Sequence, residues 1–79
     1  MLTPRKHLNL HVSVLRVSSI MLRELAKRGV IELERMRAII VRRTGPDGEL
    51  SFLPALGFLY LLGKVEYHLK NDTIEYKAS

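Results

Sequence analysis

Three histidines, eight carboxylates and no cysteine are what 79 residues offer to catalysis or metal binding. His7 and His11 stand four apart and would share a face of a helix that began early enough. Two imidazoles supply only part of a zinc site, and no third ligand is spaced to join them. His68 has no neighbouring nucleophile to activate. Ser13, Ser18, Ser19 and Ser51 belong to no nucleophile motif, and no Gly-rich phosphate loop follows a strand. Asp47 and Glu49 flank a glycine in a turn-rich run and do not read as an acid/base pair. The sequence therefore predicts no catalytic residues, no cofactor-binding residues and no metal ligands, and a protein that is not an enzyme.

Charge is the next resource. Thirteen Lys and Arg against eight Asp and Glu leave a net charge of +5, which suits nucleic acid, an anionic membrane or an acidic protein surface. Arg16, Arg23, Lys27, Arg42 and Arg43 are the candidates for following a phosphate backbone without reading bases. The same residues could be solvated helix faces that keep a small apolar domain in solution, or a rim that steers an acidic partner. No aromatic is interleaved with them, as single-strand binding would want. The lack of cysteine fits a reducing compartment. Met1 to Lys6 is polar and no adequate apolar run follows, so no secretory leader is expected. Leu50–Gly63, the most apolar stretch, is too short to span a bilayer. A cytoplasmic protein with no membrane partner is the expectation.

The elements that would position these residues follow from periodicity. Residues 1–11 read as a basic arm and 12–79 as a single domain. From Val12, the positions Val14, Val17, Ser18, Met21 and Leu25 form one helical stripe, and Lys27-Arg28-Gly29 is a fitting stop. Val30–Leu33 suits a short strand. A second helix runs from Glu34 with Met36, Ile39 and Ile40 inward, to the turn signal Thr44-Gly45-Pro46-Asp47-Gly48. Ser51 is placed to cap a third helix that tolerates Pro54 in its first turn and ends at Gly63. Val65, Tyr67 and Leu69 alternate with polar residues, Asn71-Asp72 turns the chain, and Thr73–Tyr76 returns as the second strand of a hairpin. Three helices, a short strand and a C-terminal hairpin wing make an α+β fold, a small winged helix-turn-helix.

In such folds the third helix ordinarily carries basic or amide side chains into the major groove. Here Thr44–Gly63 contains no Lys, Arg, Asn, Gln or His. At 100° per residue, Phe52, Ala55, Leu59 and Leu62 form a core stripe, and Leu53, Pro54, Gly57, Tyr60 and Leu61 lie opposite, where a surface helix should be polar. Leu53, Gly57, Tyr60 and Leu61 are accordingly the candidate partner-binding residues. Coverage of the same face by the arm or the hairpin is the alternative.

The run Phe52-Leu53-Pro54-Ala55-Leu56-Gly57-Phe58-Leu59-Tyr60-Leu61-Leu62-Gly63-Lys64-Val65-Glu66-Tyr67-His68, with Lys70-Asn71-Asp72 and Ile74-Glu75-Tyr76, resembles the short middle components of bacterial ABC-three-component systems. The blocks Ser13–Val17 and Leu25–Gly29 are similar too, and class six is the nearest placement. The resemblance implies a role in a conflict or anti-phage operon, beside an SMC/Rad50-like ATPase and an effector component. It implies a winged-helix adaptor that binds partner chains and could form a homodimer, with DNA reached through the assembled complex. The rival expectation is a DNA-binding winged helix, either a transcription regulator or a non-specific duplex binder.

Overall fold

A computed structural model of the chain describes the backbone of residues 4–77 and the side chains of residues 13–77. Helix α1 spans Pro4–Arg28, strand β1 Val30–Glu32, helix α2 Leu33–Thr44, helix α3 Pro46–Leu61, strand β2 Val65–His68 and strand β3 Thr73–Tyr76. The three strands form one antiparallel sheet in the order β1-β3-β2. The result is α+β, with three helices and a C-terminal hairpin, compatible with a winged helix-turn-helix.

The core follows the apolar stripes. Val17, Ile20, Met21 and Leu25 of α1 meet Met36 and Ile40 of α2, and Phe52, Ala55 and Leu59 of α3. The sheet closes the end of this cluster. Register sets Ile31 beside Ile74, and Val65 beside Tyr76, so that Ile31, Val65 and Ile74 enter the core on one face of the sheet. Period-2 alternation then leaves Glu66, His68 and Glu75 on the other face. Burial at about 25 cal/mol per Å² of apolar surface is what holds so small a chain together.

Four expectations give way or are refined. First, α1 opens at Pro4 rather than Val12, so the stretch expected as an arm is helical from residue 4. Proline is favoured at a helix start because the N–H it lacks has no helical partner there. His7 and His11 fall on this backbone, but their side chains lie outside the described residues, as do residues 1–3.

Second, the turn between α2 and α3 shrinks to Gly45, whose φ of 75° breaks the helix, and Pro46 opens α3 at once. Asp47 and Glu49 therefore occupy the first turn of α3, where carboxylates favour the exposed N–H groups. Ser51 is no cap. It is a buried residue of the helix interior, and Pro54 lies in the third turn instead of the first. The early start also shifts the buried face. Gly48 and Ser51 join Phe52, Ala55 and Leu59 in it, and Leu62 caps the helix on the outside.

Third, Ile39 of α2 faces inward as expected but is only half-buried, packing against the core with Leu33 while Met36 and Ile40 are fully buried. Fourth, the hairpin turn is not Asn71-Asp72 alone, since the strands stop at His68 and Thr73. Asp72 takes a left-handed φ of 54°, and its carboxylate accepts a hydrogen bond from the Tyr67 hydroxyl. Asp and Asn tolerate that conformation better than other side chains. The Tyr67 hydroxyl is held above its ordinary pKa, chiefly by that hydrogen bond to Asp72.

Candidate partner-binding face on the third helix

Helix α3 buries one side and displays an equally apolar one. Leu53 is 68% exposed, Tyr60 62% and Leu61 85%, and Gly57 stands among them where, among the described residues and apart from its own stretch of helix, nothing lies within 4 Å of where a Cβ would be. The structure thus brings all four expected residues onto one open face. Leu50 extends it by a turn, with 76% of its surface exposed. Leaving four large apolar groups in water is unfavourable, and monomeric proteins seldom gather so many on one patch.

Proline reinforces the outward character of this face. Pro54 lacks the N–H that would bond the Leu50 carbonyl, and such a gap inside a helix is tolerated best where water can reach it. At its C-terminal end the face runs into an open groove against the hairpin, lined by Tyr60, Leu61, Val65, Glu66, Tyr67 and Lys77. The hairpin flanks α3 there and leaves the outward stripe exposed.

The five candidate phosphate-contacting residues do not form one surface of free cations. Arg43 donates to Glu24 at 3.1 Å, and Lys27 lies 3.9 Å from the same carboxylate. Arg28 completes the group at 3.2 Å. Arg42 lines a hollow with Arg28, Arg35, Ala38 and Ile39, whereas Arg16 lines a separate one beside Asp47. Arg23 is exposed on α1.

Glu24 is the structural residue that sequence reasoning passed over. It is only 4% exposed and ties α1 to α2 through Arg43. The hydrogen bond from Arg28 is the main cause holding its carboxyl below the ordinary glutamate range, with Lys27 and Arg43 adding to it while burial opposes. A signal for it exists in the chain. Glu24 falls three and seven residues after Met21 and Val17, on the buried stripe, and four before Arg28, the spacing of a helical ion pair. Arg37 links α2 to α3 in a similar way, reaching both Glu34 and Glu49.

The solvent face of the sheet holds a second cluster. His68 lies 2.7 Å from Glu75 and 3.9 Å from Glu66, and one ligand atom from each of the three lies within 4.8 Å of the others. Such a set is able to take a divalent cation in principle. Lys77 already sits 3.4 Å from Glu66, so the cluster is also a plain surface network of one ion pair and a hydrogen bond between His68 and Glu75.

The described residues thus form a small α+β domain whose third helix leaves an apolar face exposed. Residues 29–77 match the family ABC-three component (ABC-3C) system Middle Component 8. The chain belongs to that family of middle components, in class eight where the resemblance had suggested class six. The match takes in β1 through β3 and the whole α3 face, and leaves α1 outside it. No curated protein and no solved structure matches the chain. Among the described residues, no helix is long and apolar enough to cross a membrane.

Proposed function

We propose that this middle component is a non-catalytic adaptor, using the outward face of α3 to make protein–protein contacts within an ABC-three-component complex. In this reading it works beside an SMC/Rad50-like ATPase and an effector in a bacterial anti-phage system. The observation that carries the reading is the exposure of Leu53, Tyr60 and Leu61 around Gly57, on a helix without a single cation. Phosphates would find the acidic Asp47 and Glu49 at its N-terminal end. An apolar partner surface would instead remove the leucines from water, at about 1.5–3 kcal/mol per fully buried side chain.

Leu61→Asp tests this directly. The side chain makes no core contact and is almost fully exposed, so the variant should retain the helical circular dichroism of the parent. Co-purified with the other components of its system, it should lose most of the partner that the parent retains. Undiminished co-purification would defeat the reading.

Duplex binding through Arg16, Arg23, Lys27, Arg42 and Arg43 is the second reading, and the hollow lined by Arg28, Arg35 and Arg42 favours it. It predicts retardation of duplex DNA at low salt that falls steeply as salt rises and is weakened by Arg42→Glu. Equal mobility of free and mixed DNA at low salt would remove it.

A further inference from the structure

The hairpin sets two carboxylates directly against each other. The Lys77 N–H donates to the Lys64 carbonyl at 2.9 Å. Bonded pairs of an antiparallel ladder recur every two residues, so Glu66 and Glu75 form the next one, with Cα atoms about 5.5 Å apart. Like charges at such a position weaken strand pairing. His68, two residues after Glu66, returns to the same face and lies diagonal to Glu75. Glu75 belongs to the central strand, with Val30 as its partner on the other side. Backbone pairing therefore aims all three side chains at one spot.

The distances suit a small cation. Nε2 of His68 lies 2.7 Å from Oε1 of Glu75 and 3.9 Å from Oε2 of Glu66. Around a tetrahedral zinc ion, with bonds of about 2.0–2.2 Å, ligand atoms stand about 3.3 Å from one another. That spacing falls between the two observed, so side-chain rotation alone would close the site. We infer that His68, Glu75 and Glu66 hold a divalent cation of the zinc class, with water at the fourth position.

The donor set selects the metal. One imidazole nitrogen and two carboxylate oxygens suit zinc, whereas magnesium and calcium want oxygen throughout and more of it. Nε2 must offer its lone pair to the metal, which places the ring proton on Nδ1. Lys77 sits 3.4 Å from Oε1 of Glu66 and so steadies that carboxylate through the oxygen turned away from the imidazole. A surface ion pair accounts for Oε1 alone. Oε2 faces the imidazole beyond hydrogen-bond reach, at the distance a shared cation would span.

Bound there, the cation would tie β2 to β3 and offset the repulsion between the opposed carboxylates. A two-stranded hairpin has little stability of its own, so the wing is where such a link has most effect. The sequence names no ligand for His68 because Glu75 reaches it only after the chain turns back through residues 69–72.

Calorimetric titration of the full chain with ZnCl2 tests the site. One saturable zinc site is expected, with no comparable binding of MgCl2 or CaCl2, and zinc should raise the thermal midpoint. His68→Ala and Glu75→Gln should each weaken zinc binding about tenfold or more while keeping the helical circular dichroism of the parent. His7→Gln/His11→Gln, which leaves His68 as the only imidazole, should bind as the parent does.

Absence of saturable zinc binding would overturn the proposal. So would equal affinity for magnesium, the mark of a merely acidic surface. Zinc binding unchanged in both His68→Ala and Glu75→Gln would place the metal elsewhere, and that result decides the matter whether or not the His7/His11 variant folds.

Discussion

Two buried serines show how a single atom weighs in a chain this short. The hydroxyls of Ser18 on α1 and Ser51 on α3 are inaccessible and without a hydrogen-bond partner among the described residues. A buried unsatisfied hydroxyl costs about 1–3 kcal/mol, and serine is a poorer helix former than alanine. Ser51→Ala should therefore raise stability by about 1 kcal/mol, read as a higher urea midpoint with an unchanged slope. A lower midpoint would show that the hydroxyl has a partner after all. Sequence placed Ser51 at a helix start because serine caps helices well; only the early opening at Pro46 moved it into the interior.

At the scale of elements, the junction of α2 and α3 decides the architecture. A Cβ at Gly48 would run into the Thr44 side chain, so the two helices come as close as they do because position 48 carries none. The Thr44 hydroxyl donates back to the Ile40 carbonyl at 2.6 Å, which holds the side chain at this contact. Gly48→Ala should cost about 1–3 kcal/mol through overpacking, although alanine is the better helix former. Chemical denaturation would measure it, and a stabilised variant would contradict the close approach. Most elements were legible from period and punctuation: the stripe of α1, the stop at Gly29, the short strand and the hairpin. The run from Thr44 to Gly48 misled because glycine, proline and aspartate mark both a loop and a tight helix-to-helix corner, and local sequence does not separate the two.

At the scale of the whole molecule, Glu24 couples two helices to the pH of the solution. Its folded-state carboxyl is held below the range of the unfolded chain, chiefly by Arg28. The ionised group therefore contributes stability that is fully present above the unfolded pKa and is lost as pH falls through the lower, folded one. Glu24→Gln should accordingly destabilise the protein at neutral pH, and the gap between parent and variant should narrow on acidification. Urea unfolding at pH 7 and pH 3 would show this, and a gap that widens in acid would refute the assignment. The same contact withdraws Lys27 and Arg43 from the pool of free cations. Net charge alone therefore overstates what the domain offers to phosphate.

Sequence by itself determined the fold class and the apolar, cation-free character of α3, because periodicity and composition are properties of the chain before it folds. It also sufficed to place Leu53, Gly57, Tyr60 and Leu61 on one side of that helix, since 100° per residue needs no tertiary information. Only the tertiary structure decided that this side is left open, that Leu62 stays out of the core, and that Glu24 gathers three cations from two helices. Those outcomes depend on which elements come to lie against one another, and contacts between residues distant in the chain leave no periodic trace in it.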